Sequence, residues 1–265
     1  MHKKNGEFTT FPVFLYNNTM IIAILTDIHA NYEALDTILR YLDSIDVRDI
    51  VCCGDIVGYG PSPVECITRL QQYSFRSVYG NHDQAFLTDS MDIYFNEDAV
   101  VALNIQKNLV HKEEISFIQS LPAVIQDKKY TITHSYLDPQ HPYRYVLDEN
   151  TAYRNAILNK KNSVLFIGHS HNPSIFEIHS NNSIDVYKAK NGLDWTLQPD
   201  CKYVINVGSV GQSRDGNSDC SFGLFDTEAM QIKIFRFPYP IYKTQEKMTE
   251  KGFPEFLIKR LANGF

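Results

Sequence analysis

The segment Met20-Ile21-Ile22-Ala23-Ile24-Leu25-Thr26 is an almost unbroken apolar run that stops at Asp27. A strand without polar alternation is buried on both faces, so the rest of the chain must cover it on each side. Tyr32 to Leu42 supplies the first cover, repeating apolar residues at helical spacing through Leu35, Ile38, Leu39 and Leu42. Ile50 to Cys53 predicts a second short buried strand, Val64 to Tyr73 a helix, and Phe75 to Tyr79 a third strand. Residues 84–120 hold no convincing strand and predict two or three helices, a candidate cap over a site. Short strands are expected near 123–134, 163–168 and 174–187, with a helix near 148–159. Tyr203 to Val207, Phe222 to Asp226 and Gln231 to Phe237 read as strands joined by turns, an antiparallel half, and Pro254 to Ala262 as a terminal helix. The pattern is that of an α/β domain with a mixed sheet system.

Composition narrows the class. A chain of 265 residues, 43% hydrophobic and 21% charged, suits one folded core and is neither disordered nor fibrous. No apolar run approaches the roughly 20 residues that span a bilayer, so no membrane partner is expected. The net charge of 25 − 31 = −6 offers no footprint for stable nucleic-acid binding. Five cysteines lie scattered or inside apolar runs, as reduced thiols do in a cytoplasmic protein. Residues 1–19 lack a long apolar core and a small-residue cleavage site. They read as a leader or overlong start, leaving 20–265 as the domain.

The polar residues fall where the buried strands end. Asp27-Ile28-His29 follows the first strand, Gly54-Asp55 the second, and Gly80-Asn81-His82-Asp83 the third. His134 follows Tyr130 to Thr133, and Gly168-His169-Ser170-His171 follows Val164 to Ile167. Singly, each is an ordinary loop. Together they put five of the nine histidines at the carboxyl edge of the sheet, where α/β proteins bind ligands. Imidazole, carboxylate and amide oxygen without thiolate suit manganese first, then iron, zinc, cobalt or nickel. Seven candidate ligands (Asp27, His29, Asp55, Asn81, His134, His169 and His171) are too many for one tetrahedral ion and enough for two. Asp55 is the natural bridge, because one carboxylate has two oxygens to share between cations.

In the order Asp-x-His, Gly-Asp, Gly-Asn-His-Asp, His, Gly-His-x-His, from Asp27 to His171, the chain resembles the calcineurin-like metallophosphoesterases. Gly54 to Pro61 and Asn206 to Gly216 are similar to local motifs of a bacterial and archaeal branch of small phosphoesterases. The resemblance covers most of residues 20–240 and implies a four-layer α/β/β/α sandwich of two mixed sheets flanked by helices. It implies one divalent ion held by Asp27, His29, Asp55 and His171, and a second held by Asp55, Asn81, His134 and His169. His82 would project into the cavity as the proton donor. Asn31 would fix the metal loop or contact phosphate, with a helix N-cap as the equal alternative.

The implied chemistry is hydrolysis of a phosphoester by direct attack of metal-activated hydroxide, without a phosphoenzyme. Ser/Thr protein phosphatases and similar diadenosine-tetraphosphate hydrolases carry Asp and Arg where this chain has Gly58 and Tyr59, and Arg where it has Tyr79. Two phosphate clamps are therefore missing, together with the carboxylate that would orient His82. Arg214 is a candidate replacement anchor, unless it pairs with Asp215 or Asp219. The aromatic loop from Ser135 to Tyr145 is expected to border the site. The expectation is a phosphodiesterase acting on a nucleotide or other small diester. The alternatives are a phosphomonoesterase, including a phosphoprotein phosphatase, and a non-catalytic scaffold of the same fold.

Overall fold

Strand β1 (Ile21–Leu25) sends its side chains two ways, and that division builds the layers. Ile22 and Ile24 enter one apolar cluster, while Ala23 and Leu25 enter another. The computed structural model describes residues 21–88 and 95–265, so the leader expected at 1–19 lies outside the described residues. Beside β1 run β2 (Asp49–Cys52) and β3 (Ser74–Ser77), all parallel. Its other neighbour, β11 (Cys220–Asp226), is antiparallel, followed by β12 (Gln231–Phe237) and the edge strand β9 (Leu193–Thr196). The second sheet takes the order β4 (Val124–Gln126), β5 (Tyr130–Thr133), β6 (Val164–Ile167), β10 (Lys202–Asn206), β7 (Ser174–Ile178), β8 (Ile184–Lys188). Both sheets are mixed.

The sheets face each other across Ile22, Ile24, Val51, Ile132, Phe166 and Phe225. Outside the first sheet, α1 (Tyr32–Ser44) lays Leu35, Ile38, Leu39 and Leu42 against Ala23 and Leu25, joined by α2 (Pro63–Leu70). Outside the second, α6 (Glu149–Leu158) packs Ala152 and Ala156 on Leu165, Ile167 and Val204. Full burial of each large apolar side chain contributes about 1.5–3 kcal/mol, so these three seams hold the expected α/β/β/α layers together. Among the described residues of 81–119 lie three helices: α3 (Asn81–Leu87), α4 (Glu97–Lys107) and α5 (Lys112–Gln119). A C-terminal hairpin, α7 (Ile241–Glu250) and α8 (Glu255–Asn263), closes with α4 around Tyr59 through Ala102, Met248, Phe253, Leu257 and Leu261.

Three features differ from the sequence expectation. β10 does not belong to a purely antiparallel half, because it inserts between β6, its parallel neighbour, and β7, its antiparallel one. β9 went unforeseen because a four-residue edge strand with alternate residues exposed carries little apolar signal. α7 went unforeseen because it buries only Thr244 and Met248, so no apolar stripe marks it.

Candidate metal centre

β1 and β2 are parallel, as are β5 and β6, so their carboxyl ends reach one edge of the sandwich. The loops leaving them are laced together. Asp27 N–H donates to Gly54 O at 3.0 Å, His29 N–H to Asp55 O at 2.9 Å, and Gly168 N–H to His134 O at 2.8 Å. Asp27, His29, Asp55, His169 and His171 all have left-handed backbone, with φ between 49° and 67°. Each such residue costs of order 1–3 kcal/mol, and the cost falls on five of the seven predicted ligands. The surrounding hydrogen bonds hold the turns that aim these side chains.

Two donor clusters result. In the first, His171 Nε2 lies 3.2 Å from Asp27 Oδ1 and 3.1 Å from His29 Nε2. In the second, His134 Nε2 lies 3.0 Å from Asn81 Oδ1, 3.2 Å from His169 Nδ1 and 3.3 Å from Asp55 Oδ2. The same Asp55 Oδ2 is 3.8 Å from His29 Nε2, so it stands between the clusters. All seven predicted ligands are thus brought together.

The donor chemistry fits cations. His29 Nδ1 lies 3.1 Å from the Val57 carbonyl, and His171 Nδ1 contacts the Gln212 carbonyl. Each Nδ1 therefore keeps the proton and leaves Nε2 as a lone pair, the arrangement that backbone carbonyls impose on metal-bound histidines. Burial drives the pKa of both rings well below the usual value, so both are neutral. Two facing lone pairs at 3.1 Å repel, whereas this is the spacing of neighbouring ligands on an ion with bonds of about 2.1 Å. His169 is likewise neutral, pulled down by burial to about 3. At His134, burial opposes the charge but Asp55 overcomes it and raises the pKa to about 9. Asp83 braces the site from behind, accepting from the N–H groups of Ile56 at 3.0 Å, Val57 at 3.1 Å and Gly80 at 2.9 Å.

The clusters open on a cavity of about 490 Å³. His82 lines it beside Asp55, whose Oδ1 accepts from the His82 N–H at 2.9 Å. Its ring Nδ1 has no hydrogen-bond partner among the described residues, and Tyr59 and Phe95 pack against the ring at 4.4 and 4.6 Å. Burial lowers its pKa to about 4. Arg214 also lines the cavity, donating to Gln212 Oε1 at 3.1 Å and lying over the Tyr59 ring. The expected alternative pairing is corrected, since Asp215 pairs with Arg236 at 2.8 Å instead. Asn31 caps α1 through the Ala34 N–H, and its amide donates to Gly211 O and Tyr239 Oη. Both donors are spent, so the phosphate contact expected of Asn31 is corrected to the capping alternative. The aromatic loop divides: Tyr143 and Tyr145 line the cavity, with Tyr145 stacked on His169 at 4.1 Å, while Tyr136 is buried. Phe95, Phe256 and Arg260 also line the cavity, and no motif marked them. A separate group, Glu177, His179 and Cys201, is engaged within itself and with Tyr203 and Asp185.

A fold of this kind carrying paired imidazole and carboxylate clusters defines a metal-dependent phosphoesterase. The model of the calcineurin-like phosphoesterase superfamily domain matches residues 20–230, and the chain belongs to that superfamily. An uncharacterized protein of Methanocaldococcus jannaschii is 36% identical over 249 residues, 92% of this chain and 98% of the relative. A metallophosphoesterase crystal structure from Sphaerobacter thermophilus superposes with a TM-score of 0.81 at 34% identity, covering 94% of this chain and 100% of that one. A hypothetical protein of Pyrococcus horikoshii shares the fold at a TM-score of 0.75 and 18% identity, covering 92% and 98%. No helix among the described residues is long and apolar enough to cross a membrane.

Proposed function

We propose that this enzyme hydrolyses a small phosphodiester of nucleotide size in the cytoplasm, with manganese as the first choice for its two ions. The observation that carries the reading is the pair of donor clusters sharing Asp55 at the base of a cavity within the size range of small-molecule sites. Two divalent cations there supply the charge that neutralises phosphate oxygens and acidifies the attacking water. The chain's own groups do the remainder. Arg214 donates to a phosphate oxygen from the cavity wall, and His82 gives a proton to the departing oxygen. Burial keeps His82 neutral when no anion is present, and an anionic phosphate alongside raises its pKa again. Phe95 and Asn96, at the start of α4, wall the cavity and act as the cap that limits substrate size.

The diester reading is supported by how few cations face the ligands. Arg214 is the arginine whose charge is felt by His82 and His171, and a dianionic monoester needs more neutralisation than a monoanionic diester. Hydrolysis of bis(p-nitrophenyl) phosphate and p-nitrophenyl phosphate by manganese-loaded protein tests it. Faster cleavage of the diester is expected. Preference for the monoester would make the chain a phosphomonoesterase, and cleavage of neither would leave a binding scaffold.

A further inference from the structure

The α7–α8 hairpin lies beyond residue 230, where the superfamily match ends, yet it reaches the cavity. Met248, Leu257 and Leu261 pack in one cluster with Tyr59, and that anchorage places Phe256 and Arg260 in the cavity wall with Arg214. Two guanidinium groups thus share one cavity. Arg214 donates to the neutral Gln212 Oε1 and Tyr59 Oη. Arg260 donates Nε to the main-chain oxygen of Phe265 and lies over the Phe256 ring at 5.2 Å. Neither makes an ion pair with a carboxylate side chain among the described residues; Asp98 is close enough to be felt by Arg260 but does not pair with it. Arg236, on β12, shows the contrast, being paired with Asp215 at 2.8 Å.

Half-buried like charges repel, and they persist where an anion is to be received. Burial and the Arg214 charge together bring the Arg260 pKa down to about 10, so Arg260 stays cationic at neutral pH. Arg214 is the inner member, since its main-chain N–H donates to the His171 carbonyl and its charge reaches His82. The groups felt by Arg260 are Arg214, Tyr59, Asp98 and Tyr145, none of them a metal ligand. The half-exposed rings of Tyr145 and Phe256, 47% and 56% accessible, flank the space between.

We propose that Arg214 and Arg260 form a second anion subsite, and that the substrate is a small phosphoester carrying a further phosphate. One phosphate lies at the metal ligands, where Arg214 donates to it from the cavity wall, and the other lies farther out between Arg214 and Arg260, with Arg214 shared by both. The inference rests on the phosphoesterase reading above and adds its substrate class. Calorimetric titration of manganese-loaded protein with methylphosphonate and with 1,3-propylenediphosphonate tests it, the reading being the ratio of the two affinities.

In the wild type the two-headed probe should bind at least about tenfold more tightly, and in Arg260→Gln the ratio should fall to the statistical value of about twofold. Arg260→Lys, which keeps the charge on the same helix, should retain part of the advantage. A wild-type ratio near two, or an undiminished ratio in Arg260→Gln, overturns the subsite while leaving the phosphoesterase reading in place. Failure of both probes to bind, with no hydrolysis of the chromogenic esters, overturns both.

Discussion

His82 is 3% exposed, and its ring is held by packing, its Nδ1 having no hydrogen-bond partner among the described residues. Gly58 makes room for that packing. A Cβ there would sit 2.4 Å from His82 Nδ1, and the backbone at φ +92° also favours glycine. Tyr59, Phe95 and His29 complete the enclosure, with ring centroids 4.4, 4.6 and 4.8 Å away. A ring fixed this way keeps its orientation without a hydrogen bond, and its proton affinity depends on what occupies the cavity. His82→Ala should leave metal content unchanged and lower turnover about 10²–10⁴-fold, most for the poorest leaving groups. Equal losses across a leaving-group series would remove His82 as the proton donor.

At the scale of elements, the loops matter more than the strands that carry them. Ser209 Oγ donates to Asp27 O at 2.9 Å, Asn206 donates to Gly168 O at 2.7 Å, and Gly211 N–H donates to Asp27 O. The segment from Asn206 to Gly216 therefore ties the Asp27 and His169 loops together. Away from the site, Asp43 near the end of α1 accepts from Tyr73 Oη and Arg48 at 2.7 Å and from Arg69 at 3.0 Å, clamping α1 to the α2 region. Slight burial works against the Asp43 charge, but the Tyr73 hydroxyl and the Arg69 guanidinium outweigh it and hold the pKa below the ordinary 3.8. The stability it adds is present above that value and lost as pH falls through the lower folded one. The Tm difference between wild type and Asp43→Asn should be full near neutrality and close below about pH 4. A gap unchanged across that range would contradict the clamp.

For the whole molecule, what was legible in the sequence follows from burial. Apolar strands such as Ile21–Leu25 cannot hold an unpaired charge, so the Asp and His residues that follow β1, β2, β5 and β6 mark where the chain reaches the ligand edge. That logic located the mixed α/β sheet system and the clustered residues from Asp27 to His171, while the four layers were implied by the resemblance to the calcineurin-like metallophosphoesterases. It could not locate Arg260, which lies on an amphipathic helix and acquires meaning only when α8 docks beside Tyr59. Nor could it decide Asn31, because capping and ligand contact call for the same amide at the same spacing.

The most direct measurement is anomalous diffraction from crystals of manganese-loaded protein, wild type and Asp55→Asn. Two peaks about 3.5–4 Å apart are expected on either side of Asp55 Oδ2, one near Asp27 and His171 and one near Asn81 and His134, both weakened in the variant. A single peak in the wild type, or one peak at full strength in Asp55→Asn, would contradict a shared two-metal centre.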